Sequence, residues 1–198
     1  ELLLEYYERQ QMAGAGMDED EDLFSPVRKS AKGRAIWLGI NLLTAFMASA
    51  FIGMFEATLQ QIVALAALMP VVASMGGIAG SQTLTLIIRG LALRQVTSAN
   101  VAALLAKELR VGALNGIIWA VVIGLVAVAW FGEPLLGVVI AIAILLNIVA
   151  AAFAGVFVPV ILDKLDIDPA LSGSVILTTV TDIVGFVAFL GLGTLLLI

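Results

Sequence analysis

Asp182 stands in the middle of a long apolar stretch near the end of the chain, and a carboxylate there demands a chemical account. It lies fourteen residues after Asp168 and sixteen before the last residue. At about 1.5 Å per helical residue, the first interval is about 21 Å, which puts Asp182 close to the midplane of a hydrocarbon core roughly 30 Å thick. Ionisable groups at that depth are rare and by default mark ion or substrate pathways. At about 100° per residue, Asp168, Ser174, Thr178, Thr181, Asp182 and Gly185 fall on one side of a helix. Such a stripe of hydroxyls and carboxylates must face water, protein or an ion. The competing structural reading is a protonated Asp182 bonded to a neighbouring helix, with the Thr hydroxyls bonded to their own helix.

A second stretch is unusual for its exposed backbone. Pro70 is followed by Ser74, Gly76, Gly77, Gly80, Ser81, Gln82, Thr83 and Thr85 inside otherwise apolar sequence. Gly76-xxx-Gly80 and Gly77-xxx-Ser81 are small-xxx-small spacings that let helices approach closely. Pro with paired Gly predicts a break in the helix that frees carbonyls to line a cavity. Gly76, Gly77, Gly80, Ser81 and Gln82 are therefore candidates for a pore wall, as are Thr181 and Gly185 of the polar stripe; a packing face without ion contact is the alternative to the first group. Glu56, at the outer end of a predicted span, could gather cations at an external mouth or simply be solvated. Asn115 and Asn147 read as interhelical hydrogen-bonding residues, and Gly155 and Pro159 as a kink or close contact. The run Asp18, Glu19, Asp20, Glu21 and Asp22 could sense divalent ions together with Asp163, Asp166 and Asp168. Plain solvation is the other reading of that run.

The elements that would position these groups are membrane helices. The chain is 62% hydrophobic and 13% charged, with a mean hydropathy of +1.12, whereas soluble domains carry about 25% charged residues. Five spans are predicted, at 35–57, 62–88, 111–131, 135–162 and 170–198, with helix also expected in the connection 89–110. Residues 1–34 read as a cytoplasmic lead-in and connecting helix, and 35–198 as one transmembrane domain. The start on Glu1 without Met reads as that of a fragment of something longer. All ten Lys and Arg residues fall in segments that five alternating spans put on one side. Cytoplasmic loops are enriched in Lys and Arg, so the amino terminus is expected in the cytoplasm and the carboxyl terminus outside.

With no His and no Cys, disulfides, His/Cys zinc sites, thiol catalysis and His-based triads are excluded, and any metal must be held by oxygen. The net charge of −5 speaks against nucleic acid as a partner, which would call for a basic face. Mg2+ is a hard ion that keeps several waters and touches one or two carboxylates. One mid-membrane Asp supplies a single charge, and two subunits facing each other would supply two. A homodimer with a pore at or near its interface is expected, two-fold dimers being the commonest oligomers.

Two motifs carry a resemblance to the MgtE family of magnesium channels over roughly residues 18–198. One is Pro70 through Gln82, with Arg89 to Ala92 after it; the other is Asp168-Pro169-Ala170 followed by Thr178, Thr179, Thr181 and Asp182. The resemblance implies Mg2+ as the conducted and bound ion. It makes Asp182 the principal ligand, helped by backbone oxygen near Thr178, with Asp168 at the cytoplasmic mouth, and has spans two and five line the pore. It also implies a bacterial inner membrane location and a preceding cytoplasmic regulatory part with paired CBS domains, of which residues 1–34 would be the end, so that regulation here is expected to be absent or altered. Ile78 stands where the family pattern has Asn, and Ser174 where some relatives carry an amide; both point to altered selectivity among divalent ions. The runner-up is a transporter coupled to H+ or Na+, with Asp182 taking up the coupling ion. A membrane scaffold or an intramembrane aspartyl hydrolase is the non-transport alternative, and the hydrolase is disfavoured by the single deep Asp in each chain.

Overall fold

The computed structural model describes residues 2–17 and 20–198. Among these it is all-helical. The elements are α1 (Leu2–Gly14), α2 (Val27–Gly53), α3 (Glu56–Gln61), α4 (Val63–Ala92), α5 (Val101–Phe131), α6 (Pro134–Lys164) and α7 (Pro169–Leu197). Five of them, α2 and α4 to α7, are long and apolar enough to cross a membrane, as expected of an integral membrane protein. At 27 to 31 residues they measure about 40 to 46 Å. Their ends therefore overhang a hydrocarbon core of roughly 30 Å, or the helices tilt.

Local chemistry sets the ends. Pro26 precedes α2, whose first two turns carry Arg28, Lys29, Lys32 and Arg34, so this helix starts eight residues before the predicted span. The apolar window begins at Ala35, but backbone hydrogen bonding continues through charged residues that water can solvate. Gly132, at φ 72°, closes α5 by donating its N–H to the Val128 carbonyl at 2.8 Å, and Pro134 opens α6 at its first position, where no N–H is needed. Residues 93–100 separate α4 from α5, and the rest of the 89–110 segment is helix, as expected.

One expectation fails. Helix α4 runs unbroken through Pro70 and the paired Gly76 and Gly77. The interruption falls earlier, at Ile62 (φ −128°, ψ 84°), between α3 and α4. Proline in a helix interior removes one donor and tilts the axis, yet neighbouring helices compensate within a bundle.

Helix α6 is the centre of the molecule, packed against α4, α5 and α7. Leu136, Val139, Ile140, Ala143 and Ile144 on it are completely or almost completely buried. In lipid, apolar burial gives little drive for helix association, and close van der Waals packing takes its place. Gly124 and Gly137 show how: a Cβ added to Gly124 would lie 3.0 Å from the Gly137 carbonyl oxygen, and one on Gly137 2.8 Å from that of Gly124. Helices α5 and α6 are thus in backbone contact. Helix α2 stands apart, with Ala48 its one buried residue among those described, and packs on α7. Short α3 is pinned to the end of α7 by a hydrogen bond of 2.6 Å between the hydroxyls of Thr58 and Thr194.

Candidate functional site

The polar stripe predicted on α7 divides into an inner and an outer part. Thr181 is completely buried and Gly185 is buried as well. Thr178 is exposed, while Ser174 and Asp182 are half-buried. Thr178 donates its hydroxyl to the Ser174 carbonyl at 2.9 Å, Thr179 to Val175 at 2.8 Å and Thr181 to Thr178 at 3.1 Å. At exposed Thr178 the hydroxyl hydrogen is thus turned onto its own helix, which leaves the oxygen lone pairs free to coordinate a cation. Asp182, one turn beyond Thr178 on the same face, makes no hydrogen bond or ion pair among the described residues.

Helix α4 divides in the same way. Gly76 and Gly80 lie on its packed face: a Cβ on Gly76 would overlap the amide of Asn147, and one on Gly80 would come within 2.9 Å of Leu177. A Cβ on Gly77 would meet nothing within 4 Å, and Ser74, Ile78, Ser81 and Thr85 are exposed. At spacings of three and four residues Ser74, Gly77, Ser81 and Thr85 share one open face, while Ile78 turns to the side of α5. Ser81 and Ser174 line a common cleft of about 530 Å3 with Thr85, Ala170 and the α1 residues Tyr7 and Gln10. Gln82 points elsewhere, into a groove towards α5. The predicted pore set is therefore distributed over three places: Gly76, Gly80, Thr181 and Gly185 on packing seams, Gly77 and Ser81 on the open face, and Gln82 in the α5 groove.

Asn147 of α6 ties the two helices together. Its amide donates to the Val72 carbonyl at 3.0 Å, across from Gly76 on α4 and Gly185 on α7, where an added Cβ would lie 2.6 Å from the amide nitrogen. The interhelical role expected of Asn147 is thus observed. Its Oδ1 is buried without a partner among the described residues.

Asp168 begins α7, and its carboxylate accepts the N–H of Ala170 at 2.9 Å, a capping role that composition alone did not suggest. Helix α1 packs against this end of α7. Burial raises the Tyr6 phenol above its ordinary pKa, and the nearby charge of Asp168 adds to that. In the acidic run, Asp18 and Glu19 lie outside the described residues. Glu21 accepts from Arg34 Nε at 2.7 Å, and the guanidinium holds its carboxyl below the usual range. Asp22 accepts the Leu23 N–H, and Asp20 is exposed. Glu56 is exposed in the first turn of α3 and accepts from Gln60 at 3.3 Å. Among the described residues no three acidic side chains come together as a metal cluster.

The residue that sequence reasoning undervalued is Glu108. Placed there among the charges of a connection, it lies inside α5, buried at 8% exposure, and accepts from the Thr83 hydroxyl at 3.1 Å. The signal was its register, since Glu108, Gly112, Gly116, Ala120 and Gly124 recur every four residues on one face.

Residues 69–192 match the family MgtE, described as a divalent cation transporter. The chain belongs to the MgtE family. It is 34% identical over 190 residues to a Bacillus subtilis protein named Magnesium transporter MgtE, covering 96% of this chain and 41% of that one. Proteins of the same name from Thermus thermophilus and Enterococcus faecalis are 35% and 28% identical over 83% and 91% of this chain. This MgtE-family chain spans about two fifths of the length of the curated relatives it matches. The match covers most of α4 and α7 together with all of α5 and α6, and so includes both open polar faces.

Proposed function

We propose that this chain forms the membrane pore of a Mg2+ channel, acting as a two-fold homodimer in a bacterial inner membrane with its amino terminus in the cytoplasm. The observation that carries the reading is Asp182: a half-buried carboxylate without hydrogen bond or ion pair among the described residues, on one face with Thr178. The family membership and the name Magnesium transporter MgtE borne by the relatives support Mg2+ as the ion. Two Asp182 side chains across a dimer axis supply the charge that balances one divalent ion. Water and oxygens of Thr178 and Ser174 complete its shell, in keeping with the reluctance of Mg2+ to dehydrate. Asp168 stands at the cytoplasmic mouth and Glu56 at the outer one, with Gly77 and Ser81 on the wall. Inward conduction is passive, driven by a potential that contributes about 2.3 kcal/mol per charge per 100 mV. Cytoplasmic regulatory domains belong to the whole protein in this reading, in line with the greater length of the relatives.

The test is Mg2+ flux into liposomes at a clamped potential, with no proton or sodium gradient, for the wild type beside Asp182→Asn. The expected result is flux in the wild type and background in the variant. Undiminished flux through a well-folded variant would refute the assignment of Asp182. Flux that requires an imposed proton or sodium gradient would replace the channel by a coupled transporter.

A further inference from the structure

The groove between α4 and α5 has a chemistry unlike that of the open faces. It encloses about 620 Å3 and is lined near the start of α5 by both Lys107 and Glu108. Glu108 is more than nine-tenths buried, fixed by the Thr83 hydroxyl at 3.1 Å, and forms no ion pair among the described residues. A buried carboxylate without a cation is costly, so the groove is built for a positive group. Lys107, exposed at its mouth, is built for a negative one. From there the walls turn apolar, with Ile78, Leu86 and Trp119 all facing the groove and all partly exposed. Trp119 lies about 17 Å beyond Glu108 along the helix, which is the reach of much of an acyl chain.

We propose that this groove binds a phospholipid carrying a primary ammonium headgroup, of the phosphatidylethanolamine type. Its ammonium donates to Glu108 and to the Gln82 carboxamide, its phosphate meets Lys107, and one acyl chain follows the apolar wall past Trp119. The arrangement explains why opposite charges line one lipid-depth groove without pairing. An inorganic cation would meet a single carboxylate with an ammonium beside it, and an anionic lipid would meet the Glu108 charge. A choline headgroup keeps the positive charge but has no N–H to donate, so Glu108 discriminates against it.

The experiment is native mass spectrometry of the purified chain with defined lipids: phosphatidylethanolamine, its mono- and dimethylated forms, phosphatidylcholine and phosphatidylglycerol. The wild type is expected to retain phosphatidylethanolamine about ten-fold over phosphatidylcholine, with retention falling at each added methyl. Glu108→Gln keeps an acceptor for Thr83 but removes the charge that strengthens the ammonium bond, and should lower that ratio several-fold. Lys107→Ala should lower retention of both lipids and leave their ratio standing. Equal retention across the methylation series by the wild type overturns the proposal whatever the variants do. An undiminished ratio in folded Glu108→Gln overturns it too, as does a lipid-free groove filled by a second copy of the chain. None of these readouts depends on ion flux, so they stand apart from the channel assignment.

Discussion

At the scale of single residues, the Asn147 amide lies so close to Gly76 and Gly185 that neither position has room for a Cβ. Gly76→Ala would drive a methyl group into that amide, and overpacking of this kind costs about 1 to 3 kcal/mol. Adding Asn147→Ala to Gly76→Ala should return most of the loss, so a double-mutant cycle by thermal or denaturant unfolding in detergent should show strong coupling. Additive losses would mean that the contact is not strained by the methyl group. Asn147 itself was legible from sequence as an interhelical donor, because an amide inside an apolar span has few other fates. Its acceptor on α4 was not, since no local pattern specifies which carbonyl of which helix lies opposite.

Glu21 supplies a second prediction at this scale. Its carboxyl is held low by the hydrogen bond from Arg34, so the contact is fully formed above the ordinary carboxylate pKa and is lost as the pH falls through the lowered value. Protection factors from hydrogen exchange of residues 20–34 should therefore stay constant from neutral pH down to the usual carboxylate range and fall below it. Arg34→Gln should remove the pH dependence. The Arg34 side of the pair is solvent-exposed, and high salt should weaken it.

Among elements, the α5–α6 hairpin depends on backbone contact. Gly124 faces the Gly137 carbonyl with no room for a Cβ, so Gly124→Val should push the helices apart. The expected loss is about 1 to 3 kcal/mol, read as a lower midpoint in detergent unfolding, with Gly191→Val as a control at a glycine that meets nothing within 4 Å. The existence of the five long helices was plain from apolar run length, and the Gly132–Pro134 turn from residue type. The unbroken course of α4 was not. Pro70 and paired glycines read locally as a break, but α6 and α7 pack against that stretch and stabilise the helix where isolated propensity would not.

For the whole molecule, the chain lacks cysteine, which makes single-cysteine probes clean. If two copies meet along the open faces, Ser81→Cys and Thr178→Cys should each cross-link to a dimer in membranes under mild oxidation. Ala120→Cys, buried between α5 and α6, should not. Cross-linking at Ala120 but not at the open faces would place the subunit contact elsewhere. A membrane-impermeant thiol reagent added from outside should label Glu133→Cys and leave Lys164→Cys unlabelled, since all the basic residues fall on the opposite side in the proposed topology.

Sequence by itself determined that this is a membrane protein with five long apolar helices, with Asp182 within the last of them and polar positions on α4 and α7. Composition, run length and the cost of burying charge act locally and can be read one segment at a time. Only the tertiary structure decided which of those polar positions are packed and which are open. Gly76, Gly80, Thr181 and Gly185 went to helix seams because α6 and α7 close on them, while Gly77, Ser81, Thr178 and Asp182 stayed accessible or partly so. The same packing buried Glu108 behind Thr83. A helix presents every direction within four residues, and the choice of the direction that meets a neighbour is made between helices.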